Sequence, residues 1–418
     1  MQTTETYPEL LSLSEACRLL NVHPNTLRNW DNQGLLVATR IGVKGIRKYP
    51  KNKIIELVGS KYPNNRAKGH KYKVIDLFSG CGGMSYGFEQ TGRFEILAGI
   101  DNWQDSLVTF SNNHESAAVL NLDLGNFSPT EIEKKVGRDV DIVIGGPPCQ
   151  GFSISGKRDP SDPRNKLYQG FVRTVEYFKP LAFVLENVPN LVSMESGKIK
   201  DKIISDFTKL GYEVKYKILL ASEYGVPQNR RRVVFVGIKN SNSFEFPEPK
   251  HIDNKHTCFD ALSDLPEESV GDGTAHYLEP QSKYQKLMRQ KSERIFNHEV
   301  TSHSPKTVGT IALVPDGGNY KDLPEELRNT RRVNIAWTRY NSKRPSLTID
   351  TGHRHHFHYR FNRIPTVRES ARLQSFPDNF IFYGSKTSQY KQVGNAVPPL
   401  MAYAVAEELI KALELQNV

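Results

Sequence analysis

The stretch Val140-Asp141-Ile142-Val143-Ile144-Gly145-Gly146-Pro147-Pro148-Cys149-Gln150-Gly151-Phe152-Ser153 joins an apolar run to a turn that carries a thiol. Residues 140–144 read as a buried strand. Two prolines then hold φ at about −65° and remove two backbone donors, and the flanking glycines let another molecule come close to the main chain. Such a turn presents Cys149 instead of packing it. An isolated cysteine is most often a small core hydrophobe, but the loop around this one points to a nucleophile.

Upstream, Val74-Ile75-Asp76-Leu77-Phe78 runs into Ser79-Gly80-Cys81-Gly82-Gly83-Met84 and then a helix-compatible segment. Strand, glycine-rich turn and helix place a ligand at the strand's carboxyl end, against the helix N-terminus. The turn lacks the Lys-Ser/Thr ending of a phosphate loop and the spacing of a dinucleotide fingerprint. A ligand carrying adenosine without phosphates fits it better.

Four further motifs follow in order. Glu186-Asn187-Val188 comes after the strand Ala182–Leu185, and Gln228-Asn229-Arg230-Arg231-Arg232 precedes the strand Val233–Val236. Arg368-Glu369-Ser370-Ala371-Arg372-Leu373-Gln374-Ser375-Phe376-Pro377 and Gln392-Val393-Gly394-Asn395-Ala396-Val397-Pro398-Pro399 complete the set. Together the six motifs resemble the cytosine-5 DNA methyltransferase family over residues 72–418. A protease or redox reading of Cys149 needs a partnered His or a second Cys at short spacing, and the chain has neither.

The resemblance implies an α/β fold: a Rossmann-like S-adenosylmethionine-dependent catalytic domain over 72–240, a smaller target-recognition domain over 241–366, and a C-terminal return over 367–418. It implies that Cys149 adds to carbon 6 of a flipped cytosine, that Glu186 protonates or hydrogen-bonds N3, and that Arg230 and Arg232 orient the base. S-adenosylmethionine would lie along Phe78, Gly80, Cys81, Gly82 and Gly83, with Asp76 ordering the turn. Asp123 would meet the adenine amino group, Leu167 and Pro147 would contact the cofactor, and Asn395 and Val397 would return beside the first strand. The family often has a ribose-binding Glu two residues before the Asp of its second strand. Here Gly99 stands at that place, and Asp101 is expected to do the work from a shifted position. Ser153, in the loop after Cys149, and Thr348, in the recognition region, would contact DNA.

Composition agrees with a polyanionic partner. The chain of 418 residues carries a formal charge of +10 and a pI near 9.2. Residues 1–71 hold twelve Lys and Arg against five Asp and Glu, so +7 of the excess sits there. Four scattered cysteines without CxxC spacing argue against a zinc site and for a reducing compartment. No run approaches the ~18 apolar residues of a membrane span. The expectation is a cytoplasmic, nucleoid-associated protein without a membrane partner. His353-Arg354-His355-His356-Phe357-His358 invites a metal, but no Cys lies nearby and only some of these side chains can share a face. DNA contact or packing is expected instead.

The basic N-terminus has its own pattern. Leu11–Leu20 reads as an amphipathic helix with Ser12 or Ser14 as N-cap. A turn follows, and Pro24-Asn25-Thr26-Leu27-Arg28-Asn29-Trp30 starts a second helix with Pro near its first position. With Gly34-Leu35-Leu36 and Ile46-Arg47-Lys48-Tyr49 behind it, this module over 1–58 resembles the winged helix-turn-helix of MerR-type regulators. The resemblance implies that Asn25, Thr26, Arg28 and Asn29 enter a major groove, with Arg40, Lys44, Arg47 and Lys48 in the wing. Residues 59–71 read as a linker.

The leading expectation is thus a modification enzyme acting on double-stranded DNA, paired with a restriction endonuclease, whose front module binds its own promoter. A DNA-binding regulator with a non-catalytic methylase domain, or a transfer-RNA cytosine methylase, is the alternative.

Overall fold

The computed structural model describes residues 10–20, 24, 27–28, 31, 36–41, 45–51, 53–54, 71–148, 163–241, 243–276, 278–328, 337–350 and 356–415. The chain divides into two compact units, residues 1–70 and 71–416.

In the first unit, β1 (Leu10–Ser12) leads into α1 (Leu13–Leu20), followed by β2 (Thr39–Ile41) and β3 (Ile46–Pro50). Ser12 is the N-cap: its Oγ accepts from Glu15 N at 3.3 Å, and Glu15 Oε2 accepts from Ser12 N at 2.7 Å. This reciprocal box starts the helix at Leu13, two residues later than Leu11, and frees Leu10–Ser12 to pair antiparallel with β3. The sheet order is β1-β3-β2, with Ala16, Leu27, Leu36, Tyr49 and Ile54 as its core. Pro24, Leu27, Arg28 and Asp31 are helical.

The second unit is built on a seven-stranded sheet. In chain order it runs β4 (Tyr72–Leu77), α2 (Gly83–Glu89), β5 (Phe94–Asp101), α3 (Gln104–Asn113), β6 (Ala118–Asn121), α4 (Pro129–Val136), β7 (Ile142–Gly145), α5 (Pro163–Phe178), β8 (Ala182–Asn187), α6 (Lys198–Lys209), β9 (Tyr212–Leu220) and β10 (Arg231–Lys239). The strand order is β6-β5-β4-β7-β8-β10-β9, with β10 antiparallel to both its neighbours and the other adjacent pairs parallel.

Both faces of the sheet are covered, which is why its strands read as near-continuous apolar runs. Val74, Ile142, Ile144, Val184, Val234 and Val236 share one core with α2 and the C-terminal helix. Ile75, Leu77, Val143, Phe183, Leu185, Val233 and Phe235 share the other with Phe171 of α5 and Ile203 and Phe207 of α6.

Three helices carry much of the remainder: α7 (Cys258–Leu262), α8 (Lys283–Arg289) and α9 (Pro305–Ala312). The chain then closes with α10 (Val367–Leu373), α11 (Lys386–Asn395) and α12 (Pro399–Leu415). Residues 258–295 and 367–393 share one core, which also takes Cys81 and Tyr86. A separate small core gathers Ile311, Val314, Leu323, Trp337, Phe357 and Ile364. Among the described residues, no helix is long and apolar enough to cross a membrane.

Two close approaches fix the site's frame. A Cβ at Gly83 or Gly87 would run into the carbonyl oxygen of Val397 or Pro399, so these glycines let the C-terminal segment lie directly on α2. Gly145, paired with Leu77 across β7 and β4, would drive a Cβ into the Leu77 carbonyl oxygen. That oxygen belongs to the backbone and cannot swing away. Gly145→Ala should therefore destabilise the second unit by about 1–3 kcal/mol, an overpacking penalty, measurable as a lower denaturant midpoint.

Candidate active site

Parallel strands on either side of β4 lead away in opposite directions along the sheet, and at such a switch point the carboxyl ends of the strands open a crevice. A cavity of about 580 Å³ lies there, within the range of a small-molecule site. Its wall is built from the turn after β4 (Phe78, Ser79, Gly80, Cys81, Gly83), the end of β5 (Asp101, Asn102, Trp103), Leu122 and Leu124 after β6, and Gly146, Pro147 and Pro148 after β7. Leu167, Glu186, Asn187, Val188, Arg232, Gln392 and residues 394–397 complete it.

The first turn is conformationally demanding. Phe78 sits at φ 58° and Gly80 and Gly82 at φ 52° and 94°. A bulky residue in the left-handed region costs of order 1–3 kcal/mol and persists only where the surroundings enforce it. Asp101 supplies part of that enforcement. Its Oδ2 accepts from Gly80 N at 2.8 Å, and its Oδ1 from Asn102 N and Trp103 N at 2.8 and 3.0 Å. One carboxylate thus locks two turns while still lining the cavity. Asp76 accepts from Ser85 Oγ at 2.6 Å and so ties β4 to the start of α2. Burial pushes the Cys81 thiol up to about 12, so this cysteine packs as a neutral group.

Not every expected cofactor residue reaches the wall. Asp76, Phe78, Gly80, Cys81, Gly83, Asp101, Pro147, Leu167, Asn395 and Val397 line it. Gly82 caps α2 behind the turn, and Asp123, whose Oδ1 accepts from Gly125 N at 2.9 Å, stands between the lining residues Leu122 and Leu124.

At the other side of β7, Glu186 is the penultimate residue of β8 and is paired across the sheet with Val234 of β10. This register sets Arg232 beside it, with Arg232 Nε 2.8 Å from Glu186 Oε1. Burial raises the Glu186 carboxyl above its ordinary value, and Arg232 and then Arg230 pull back only part of that shift. The second oxygen faces Gly146, where an added Cβ would lie 3.1 Å from Oε2. Asn187 donates from Nδ2 to Pro147 O at 2.7 Å. It therefore anchors the Pro-Pro turn to the strand end that carries Glu186.

The two arginines are not equivalent. Arg232 lines the cavity, whereas Arg230 is 0 % exposed, donates from Nη2 to Gly394 O at 2.8 Å, and has Nε and Nη1 unpaired. Burial, with Arg232 next to it, disfavours the charge on Arg230. Gln228 connects the surrounding segments. Its Nε2 donates to Leu373 O and to Gln374 Oε1, and its Oε1 accepts from Ile349 N at 3.1 Å. Thr348 comes with this segment, its Oγ1 donating to Asn229 O at 3.2 Å.

Cys149, Ser153, Asn25 and Thr26 lie outside the described residues. Pro148, immediately before Cys149, lines the cavity. In the first unit Arg28 is exposed. Arg47 Nε donates to Asp31 Oδ2 at 2.6 Å, and Arg40 reaches the same oxygen at 3.4 Å, so both wing arginines help hold the hairpin together. Of the histidine-rich stretch, His356 stacks on Tyr340. His358 is buried, its Nδ1 accepting from Arg360 N and Phe361 N, both at 3.0 Å, and burial lowers its pKa to about 4.

Sequence reasoning passed over Trp103, Asn187 and Gln392. An aromatic residue two places after the acid that ends β5 was a usable signal for Trp103. Asn187 and Gln392 stood inside motifs already recognised, but their bonds are tertiary.

Three comparisons bear on this arrangement. Residues 72–411 match the model of the C-5 cytosine-specific DNA methylase family, and residues 12–49 match that of the MerR family of regulatory proteins. The chain is 42% identical over 341 residues to the type II methyltransferase M1.HphI of Haemophilus parahaemolyticus, covering 81% of this chain and 86% of that protein. It is 39% identical over 367 residues to the type II methyltransferase M.DdeI of Desulfomicrobium norvegicum, covering 80% and 88%. Among solved structures, a protein described as a DNA modification methyltransferase encoded within an E. coli prophage superposes with a TM-score of 0.69 at 29% identity, covering 82% of this chain and all of that one.

Proposed function

The chain belongs to the C-5 cytosine-specific DNA methylase family and is a DNA (cytosine-5) methyltransferase, and from that premise we propose how its residues divide the reaction. The observation that carries the proposal is the junction of β7 and β8. There Asn187 holds Pro147, Glu186 sits against Gly146, and Arg232 braces Glu186, all within one cavity wall. Cys149 follows two residues after Pro147.

In this reading the Cys149 thiolate adds to carbon 6 of an extruded cytosine and pushes electron density to carbon 5. Glu186, its carboxyl raised by burial, protonates N3 as charge builds on the ring. Arg232 orients Glu186 and faces the base, while Arg230 braces the pair from behind and clamps the C-terminal return. The cavity fits S-adenosylmethionine: Trp103, Leu122, Leu124 and Leu167 offer apolar surface, Ser79 Oγ and Gln392 Oε1 offer buried acceptors, and Asp76 and Asp101 add carboxyl groups to the wall. When bound, that cofactor supplies the methyl group. After transfer, loss of the carbon 5 proton and expulsion of Cys149 release the methylated base.

We assign residues 72–240 and 367–418 to catalysis and 241–366 to target recognition, with Thr348 and Ser153 on the DNA. The enzyme serves as the modification partner of a restriction endonuclease, in the cytoplasm with the nucleoid. Its N-terminal module, through Asn25, Thr26, Arg28 and Arg47, binds the enzyme's own promoter.

The test is bisulfite sequencing of mixed-sequence duplex DNA incubated with the protein and S-adenosylmethionine, with Cys149→Ala as control. Protection of cytosines in one short context, absent with Cys149→Ala, is expected; equal protection by both proteins rejects the covalent route. Deleting residues 1–70 should relieve repression of the gene's promoter, and unchanged expression removes the regulatory role.

A further inference from the structure

One buried histidine, outside the cavity wall, sits against the glycine turn after β4. His114 follows α3 directly, its backbone N donating to Phe110 O at 2.9 Å. Its side chain is 0 % exposed. Nδ1 lies 2.6 Å from Oε2 of Glu89, the last residue of α2. Nε2 is buried and has no hydrogen-bond partner among the described residues. It faces Gly82, where an added Cβ would run into Nε2 and would stand 2.9 Å from the Phe110 ring.

The helical period brings Gly82, which caps α2, onto one face with Tyr86 and Glu89. The imidazole lies along that face. Nε2 meets Gly82, the ring stands edge-on to Tyr86 with centroids 6.3 Å apart, and Nδ1 reaches Glu89. A carboxylate only accepts, so the Glu89 contact keeps the proton on Nδ1 and turns the lone pair of Nε2 toward Gly82. An N–H on Nε2 would instead press into the Gly82 backbone. Phe110 and Phe380, with centroids 4.4 and 6.3 Å from the ring, hold its other sides. Gly82, at φ 94°, closes the turn: its N donates to Ser79 O at 2.9 Å, and its O accepts from Tyr86 N at 2.8 Å. Its neighbours Cys81 and Gly83 line the cavity. Asp101 thus holds this turn at Gly80, and His114 backs it at Gly82.

We propose that His114 is a positioning residue for the cofactor: locked by Glu89, its ring fills the space behind Gly82 and keeps the turn from Ser79 to Gly83 in its binding shape before the cofactor arrives. The inference rests on the S-adenosylmethionine reading above. A turn that is already ordered loses less freedom on binding, so its pre-organisation is felt as affinity. S-adenosylmethionine and the S-adenosylhomocysteine left after transfer share the adenosyl part, and both gain from a turn held in place. Glu186 and Arg232 stand on the far side of β7, on β8 and β10. The chemical step at saturating cofactor therefore does not depend on the ring.

Isothermal titration of the full chain with S-adenosylmethionine and with S-adenosylhomocysteine, alongside steady-state methylation of duplex DNA, tests this. His114→Ala should weaken both cofactor forms by about tenfold and raise KM for S-adenosylmethionine with kcat nearly unchanged, the pattern of lost uniform binding. Glu89→Ala should act in the same direction by a smaller factor. In the His114→Ala background it should change nothing further, since Glu89 works through the ring. Wild-type affinity in His114→Ala, or a fall in kcat as large as the rise in KM, overturns the proposal. Additive losses in the double variant, the sign of two independent structural defects, overturn it equally. If His114→Ala does not fold, Glu89→Ala decides, at a side chain 24 % exposed: unchanged affinities there reject the proposal. A wild-type protein that binds neither form would overturn the cofactor reading itself, a separate outcome.

Discussion

Glu186→Gln should slow methyl transfer by about 10²- to 10⁴-fold, the usual worth of a positioned proton donor, with little change in KM for DNA. Glutamine keeps the length and the hydrogen-bonding end of the side chain. Its amide can still approach N3 of the base, but it has no proton to give as the ring accepts electron density. Arg232, 2.8 Å away, loses a charge partner and keeps a neutral acceptor. The pH dependence separates chemistry from packing. Burial raises the carboxyl of Glu186, so the protonated acid survives to higher pH than an exposed glutamate and disappears as pH rises through the raised value. Single-turnover rates of the wild-type enzyme should fall on that alkaline limb, and those of Glu186→Gln should be flat there. A variant with wild-type rate, or with the limb intact, removes Glu186 from the proton transfer.

Arg372→Ala should cost about 3–5 kcal/mol of stability, the penalty for breaking a buried ion pair from one side. Arg372 is wholly buried in α10. Its Nε and Nη2 each donate to Asp378 at 2.7 Å, and its Nη1 donates to Asp264 at 2.8 Å and to Ala261 O at 3.0 Å. Arg289 reaches the far oxygen of Asp264 at 3.3 Å, and His276 lies 2.9 Å from Asp378. Alanine would leave both carboxylates in the interior with their main counter-charge gone. Burial alone would raise Asp378, but Arg372 overrides it and holds the carboxyl well below the usual range. Because that folded-state value is depressed, its contribution to stability is present above the ordinary carboxylate range and is lost as pH falls toward the lowered value. The variant should therefore show a lower denaturant midpoint at neutral pH and a weaker loss of stability on acidification. Adding Asp378→Asn should recover part of the difference, since an amide tolerates burial without a cation. A midpoint within experimental scatter of wild type would show that the network carries no net stability.

This arginine also marks the boundary of what the sequence could reveal. Arg368-to-Pro377 was recognisable as a motif, yet nothing in it says that Arg372 links Asp378 to Asp264, more than a hundred residues before it, or that 258–295 and 367–393 share a core. The strands of the sheet were legible because each is buried on two faces and therefore continuously apolar. The glycine turn was legible because glycine adopts φ 52° and 94°, as at Gly80 and Gly82, without the strain other residues meet there. In the front module, Ser12 or Ser14 could each have capped the first helix. The choice fell to Ser12 because β3 supplied a partner strand for Leu10–Ser12, a contact about 40 residues away. Arg40 and Arg47 read as wing cations, and the fold draws both toward Asp31.

Local chemistry in the chain was enough to mark out the strands and turns in chain order and the family, since those depend on backbone preference and on side-chain type at fixed spacing. The tertiary structure alone distinguished Arg232 from Arg230, although both occupy equivalent-looking places in one motif. The register of β8 against β10 sets one beside Glu186 and buries the other under Gly394. It likewise decided that Asp76 meets the Ser85 hydroxyl and the Asp101 carboxyl, because the surroundings of a buried group come from elements that only folding brings together.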